Sequence, residues 1–248
     1  MEQIHELMTK LQEDAVANDA NIRLSLHTFN SIVRQVIPAD PTELSVDLRT
    51  FKIPSLDKIR SILQPGGSTA LYDAGIQGFD HLEKIYDHEL SKLSRRVRNL
   101  NPTITKCYVL ATDGMDNQST HSISDFKKRT LTAKENNVQP LFLFANIGSE
   151  MGEKMGFKKS NAAQFAPTYS GVTNMMRATT ECLRQVSSGQ TQTLDSQVLA
   201  QDMDPVSPPA TPQYDSNGTP MMPGLRAPVS LRQYANVGFG VGPPLLRR

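Results

Sequence analysis

The 248-residue chain has no tryptophan and only two cysteines, and aromatic residues make up 6% of it. Two cysteines cannot form a disulfide framework, so the fold has to rest on a hydrophobic core. Cys107 falls in an expected core strand and Cys182 on an expected helix, which suggests reduced thiols in a cytoplasmic-type setting. No stretch reaches the roughly 18 consecutive apolar residues of a membrane span. Glu2, His5, Glu6 and Lys10 interrupt the apolar core that a signal peptide would need. Neither sign of charge prevails: 26 Lys and Arg against 25 Asp and Glu leave a net charge of +1. That removes any overall field that would recruit nucleic acid or an anionic membrane. The length suits one α/β domain followed by a tail.

Two stretches stand out. In Gly66-Gly67-Ser68-Thr69-Ala70-Leu71-Tyr72-Asp73-Ala74, two glycines end an irregular segment and two hydroxyl residues precede a helical pattern. Leu71, Gly75, Phe79, Leu82, Tyr86, Leu90, Leu93 and Val97 follow at steps of four and three, predicting a helix from Thr69 to near Arg98. Ser68 or Thr69 would cap it. Lys92, Arg95, Arg96 and Arg98 fall in its last turns, as suits cations at a helix C-terminus. The second stretch, Lys106 to Thr112, reads as a buried strand and runs into Asp113-Gly114-Met115-Asp116-Asn117. Asp-Gly alone is a turn signal. At the carboxyl end of a strand in an open α/β sheet, however, a carboxylate beside a threonine hydroxyl is oxygen chemistry suited to Mg²⁺ or Mn²⁺.

In chain order, residues 1–17 predict an amphipathic helix with Ile4, Leu7, Met8, Leu11, Ala15 and Val16 on one face. Ile22, Leu24 and Leu26 alternate with polar residues in a half-buried strand ending at Phe29 and Asn30. His27 falls on the polar side of that alternation, so it is expected to meet solvent or a partner and not a metal. Pro38 and Pro41 precede a short edge strand around Glu43 to Leu48. Pro54 opens a helical turn that carries Leu56, Ile59 and Leu63 inward. A helix over Ser124–Asn136, capped by Ser122 or Ser124, precedes a fully buried parallel strand over Val138–Ala145. Glu150, Glu153 and Lys154 mark a short polar helix, and Phe165 marks a sixth strand. Val172, Met175, Met176, Thr179, Leu183 and Val186 form the inner stripe of a last helix, with the methionines as core filler. Beyond it, residues 188–248 are rich in Gln, Ser, Thr, Pro and Gly, and predict a disordered tail. Pro205-Val206-Ser207-Pro208-Pro209 is its one polyproline-type stretch.

GGSTALYDA followed by LATDGMDN resembles the von Willebrand factor A (vWA) domain over residues 1–187, with the strand Ile22–Phe29 and the segment Asn161–Ala166 in support. The resemblance implies a Rossmann-like, doubly wound and mainly parallel sheet, with helices on both faces and strand order 3-2-1-4-5-6. It also implies a metal-ion-dependent adhesion site at the carboxyl edge. There Thr69 and Asp113 would be metal ligands for Mg²⁺ or Mn²⁺, and a protein partner's acidic side chain would complete the coordination. The family's first strand, with its Asp-x-Ser-x-Ser ligands, has no counterpart in this sequence. Without it, the strands before and after would expose unpaired inner edges. Three arrangements would satisfy them: a segment upstream of Met1, which is the favoured expectation, direct pairing of the two strands, or a strand from another chain.

The function expected is therefore a non-catalytic protein-interaction module. A metal-independent scaffold acting through its surface and tail is the alternative. The more distant rival is a metal-dependent phosphoryl-transfer or hydrolase enzyme using Asp113. No Walker-type glycine loop, GxSxG elbow or HExxH motif supports that rival. His121, the one histidine near Asp113 in sequence, follows a polar loop and is expected at the surface.

Overall fold

The computed structural model describes residues 2–62, 68–99, 104–148, 150–187 and 235–242. Gly66, Gly67, Leu63 and the stretch Pro205–Pro209 lie outside the described residues.

Helix α1 (Glu2–Ala17) buries Leu7, Met8, Leu11 and Ala15, as its spacing predicts, and leaves Val16 exposed. Strand β1 (Asn21–Phe29) pairs antiparallel with β2 (Val33–Ile37) and with the two-residue β3 (Val46–Asp47). The short helix α2 (Leu56–Ile62) turns Ile59 inward. The long helix expected to reach Arg98 is two helices. Helix α3 (Leu71–Lys92) stops where Leu93 turns extended (φ −71°, ψ 140°), and Ser94 then caps the single turn α4 (Arg95–Arg98). Strand β4 (Thr105–Thr112), helix α5 (Ile123–Glu135) and strand β5 (Val138–Phe144) follow. Ser122 is the N-cap of α5, and its capping box with Asp125 satisfies two backbone N–H groups reciprocally. Asn137, at φ 59°, makes the left-handed stop before β5. Helix α6 (Glu150–Lys154), strand β6 (Ala162–Gln164) and helix α7 (Tyr169–Ser187) complete this part of the chain.

The sheet order is β2-β1-β7-β4-β5-β6, where β7 is Ala235–Gly242. Two expectations are corrected here. The sheet is mixed and not mainly parallel: β4–β5 and β5–β6 pair in parallel, whereas β7 is antiparallel to both β1 and β4. The segment expected to be disordered throughout residues 188–248 contributes this strand. The position between β1 and β4, where the resemblance implies a first strand, is taken by β7, an arrangement outside the three expected. Because β7 opposes both neighbours, β1 and β4 themselves run in one direction, together with β5 and β6.

The alternation of strand residues divides two cores. Ile22, Leu24 and Leu26 of β1, Cys107 and Val109 of β4, and Leu141 and Leu143 of β5 face α1 and α7. Tyr108, Leu110, Phe142 and Phe144 face α3 and α5, against Phe79, Leu82 and Phe126. Close approach of α3 to β4 requires Gly78, where a Cβ would stand 2.5 Å from the Tyr108 Oη. Arg184 of α7 ties to Asp14 of α1, and Arg23 of β1 reaches Glu89 of α3 at 3.0 Å.

His27 does not meet solvent. It is 8% exposed and its ring stands edge-on to His81 of α3, with centroids 4.5 Å apart. The buried Ser25 hydroxyl lies between the two Nε2 atoms, at 2.9 Å from His27 and 3.1 Å from His81. The His81 Nε2 also lies 2.8 Å from the Leu44 carbonyl, so it carries the proton and donates. The polar side of β1 is roofed by α3, and period-two alternation on a strand covered on both faces does not separate inside from outside.

Candidate functional site

The carboxyl ends of β1, β4 and β5 meet the N-terminus of α3. Asn30, just past β1, accepts the Ala70 N–H on its backbone carbonyl at 2.6 Å. The Asn117 N–H donates to the Thr69 carbonyl at 3.0 Å, and the Thr69 N–H returns to the Asn117 Oδ1 at 2.7 Å. This two-way clasp lays the Thr69 loop along the loop that follows β4. The Thr69 Oγ1 lies 3.5 Å from where a Cβ on Gly114 would stand. Asp113-Gly114 and Thr69, 44 positions apart and matched only by motif in the sequence, are thus neighbours. Both Thr69 and Asp113 are half-buried.

The Asp113 turn is fixed from two sides. The Thr112 hydroxyl accepts the Gly114 N–H at 3.2 Å and donates to the Gly114 carbonyl at 2.9 Å. From the loop after β5, the Asn146 Nδ2 donates to the Asp113 carbonyl at 3.3 Å, and Asn146 itself sits at φ 56°.

The expected cap of α3 differs from the observed one. Ala70 holds the N-cap position and supplies no side-chain bond. The orphan donors of the first turn are satisfied from the neighbouring loop. The Asp116 Oδ1 accepts from Leu71 N at 2.7 Å and Tyr72 N at 3.3 Å, and the Ser119 Oγ accepts from Asp73 N at 3.0 Å. Ser119 in turn donates to the Asp116 Oδ1 at 2.5 Å. Burial and the nearby Asp116 charge both raise the pKa of Tyr72.

In the same first turn, Asp73 anchors the loop that leads into α5. Its carboxylate accepts from Thr120 N and His121 N, both at 3.0 Å, and from the Thr120 hydroxyl, with His121 Nδ1 at 2.7 Å. Burial pulls the Asp73 pKa upward, but these donors outweigh it and hold the carboxyl below its usual range. His121 is at the surface, as expected, and its ring is engaged by Asp73.

Asp116, Asn117, Ser119 and Asp73 were not singled out by sequence reasoning, although three of them lie inside the two motifs. A carboxylate two or three residues after the strand-end aspartate can serve a distant helix, and no local pattern announces that partner. Among the described residues, no group of three or more His, Cys, Asp or Glu side chains gathers in a metal-binding arrangement. No helix among them is long and apolar enough to cross a membrane. The chain matches no protein-family model, no curated protein and no solved structure.

Proposed function

We propose that this carboxyl edge is a divalent-cation-assisted protein-binding surface, with Thr69 and Asp113 as the cation's two ligands from this chain. The observation that carries the reading is the placement of the Thr69 hydroxyl against the Asp113-Gly114 turn by the Thr69–Asn117 clasp. Both side chains offer oxygen donors, which suit Mg²⁺ or Mn²⁺. Two such donors would leave most of the coordination sphere to water and to a partner's carboxylate, and affinity for the bare cation would be on the order of millimolar. The cation would supply a positive charge that an acidic side chain can complete, which is binding and breaks no bond. The common direction of β1, β4, β5 and β6 and the helices on both faces support a vWA-like, doubly wound reading of the domain, as do the two motifs.

The test is capture of partners from native lysate with the full chain, in Mg²⁺ and in EDTA, beside Thr69→Ala and Asp113→Ala. Capture of a partner in Mg²⁺ that is lost in EDTA and in both variants is the expected result. Capture indifferent to all three changes would remove the cation from the mechanism. It would favour the metal-independent scaffold, a reading supported by the side-chain hydrogen bonds of Asp116, Asn117 and Ser119 between these loops.

A further inference from the structure

Strand β7 pairs with β1 from Asn21↔Gly242 to Thr28↔Ala235, and with β4 from Thr105↔Val241 to Leu110↔Asn236. Its sequence, Val237-Gly238-Phe239-Gly240-Val241-Gly242, places glycine at every second position. Gly238 stands in register with Ser25 and Tyr108, and Gly240 with Arg23 and Lys106. On that face α3 lies close. The Tyr108 Oη donates to the Ala74 carbonyl, Lys106 Nζ sits 4.2 Å from the Tyr86 ring centroid, and Arg23 pairs with Glu89. Helix α3 also contacts β7 directly. The alternate positions, Val237, Phe239 and Val241, stand in register with Leu26, Leu24 and Ile22, whose side chains join the core under α1 and α7. The slot between β1 and β4 therefore matches a pattern: Val237, Phe239 and Val241 in register with one face, and Asn236, Gly238 and Gly240 in register with the face under α3.

We propose that this slot is a strand-binding site whose occupant exchanges between molecules, a second copy of this chain supplying its own Ala235–Gly242 to give a reciprocal dimer. Every contact described for β7 would be the same whichever molecule donated it. Residues 188–234, fully extended, would span roughly 150 Å, so their length does not prevent a crossing to a neighbour. An emptied slot would expose two rows of unpaired backbone groups inside the sheet, so a molecule that loses its strand must take another. An identical copy offers the matching register and glycine pattern. Glycine within a strand weakens its hold, because pairing there rests on main-chain hydrogen bonds alone. Exchange between two molecules follows mass action, so exchanged dimer should increase with protein concentration. The cation site plays no part in this inference.

Thr28 and Ala235 are direct partners across the β1–β7 ladder, so thiols at the two positions are placed to join. The experiment mixes a full-length Thr28→Cys chain with a full-length, mass-tagged Ala235→Cys chain. The mixture is incubated from about 10 µM to about 1 mM, a hundredfold range over which mass action shifts a two-molecule association. It is then oxidised, run on a non-reducing gel and mapped by peptide mass spectrometry. A covalent heterodimer joined between the two introduced thiols and rising with concentration is the expected result. The Ala235→Cys chain mixed with Asp57→Cys, an exposed control on α2, should give far less heterodimer at every concentration. Mixed chains that stay monomeric throughout, while a Thr28→Cys/Ala235→Cys double variant cross-links within one molecule, would overturn exchange. A double variant that fails to cross-link at all would overturn the occupancy of the slot itself.

Discussion

The Asp116 carboxylate, on the loop after β4, accepts the backbone N–H of Leu71, the first residue of α3, at 2.7 Å. A side chain from one motif thus caps the helix that begins in the other, and the negative charge sits at the positive end of the helix dipole. Together with the Thr69–Asn117 clasp, the cap ties the Thr69 loop to the loop that carries the Asp113 turn.

Asp116→Ala should therefore destabilise the chain by about 1–2 kcal/mol, the usual loss for an N-cap side chain. Chemical denaturation followed by circular dichroism measures it. Asp116→Asn keeps an acceptor oxygen and should recover most of the loss. If both variants unfold with the parent chain, the cap does not organise this edge.

Gly78 should not tolerate a methyl group. A Cβ there would stand 2.5 Å from the Oη of Tyr108, whose ring is buried against Phe79 at a centroid distance of 4.3 Å and has little room to shift. Gly78→Ala should lower stability by about 1–3 kcal/mol, the range for an overpacked core. Gly114→Ala makes the contrast, since its Cβ would find only ordinary contact with the Thr69 Oγ1 at 3.5 Å. Its unfolding free energy should stay within about 0.5 kcal/mol of the parent, as for substitutions that create no clash.

Stability should fall with acid in a window set by His27. Burial first, and the neighbouring His81 second, lower its pKa from 6.5 to about 4. Burial lowers His81 in the same direction, opposed by the hydrogen bond to the Leu44 carbonyl and assisted by the Lys84 charge. Between pH 6.5 and about 4 the unfolded chain binds a proton at His27 that the folded chain refuses, so stability rises with pH across that window. It is full above pH 6.5 and declines toward pH 4, by on the order of 3 kcal/mol. Asp73 and Asp47, held below their ordinary range, act in the same sense only at lower pH. Unfolding free energies measured from pH 7 to pH 4 should show the decline, and His27→Gln should flatten it. An unchanged slope in the variant would place the acid sensitivity elsewhere.

The sequence reveals the layers better than the connections between them. The stripes of α1, α3, α5 and α7 and the apolar runs of β4 and β5 all predict their elements, because each buries one face or both in a way that a single period describes. Strand β2 was missed because Val33, Val36 and Ile37 stand at the i, i+3, i+4 spacing of a helix and do not alternate. Leu93 sits on the helical stripe, so the break of α3 leaves no mark in hydrophobic spacing. β7 was hidden by composition: Gly238, Gly240 and Gly242 suggest a flexible tail, while the alternation of Val237, Phe239 and Val241 among them is the period of a strand. At the carboxyl edge, the two motifs mark Thr69 and Asp113 as candidates. Asp116 and Asn117 are not marked, since their partners lie more than forty positions away along the chain.

Binding of Mn²⁺, read from the loss of its free-ion electron paramagnetic resonance signal, tests the central claim most directly. The full chain should bind Mn²⁺ with a dissociation constant on the order of millimolar, and Mg²⁺ should displace it. Asp113→Ala and Thr69→Ala should weaken binding, whereas Gly78→Ala, while folded, should not. Identical Mn²⁺ isotherms for the parent chain, Asp113→Ala and Thr69→Ala would contradict the account.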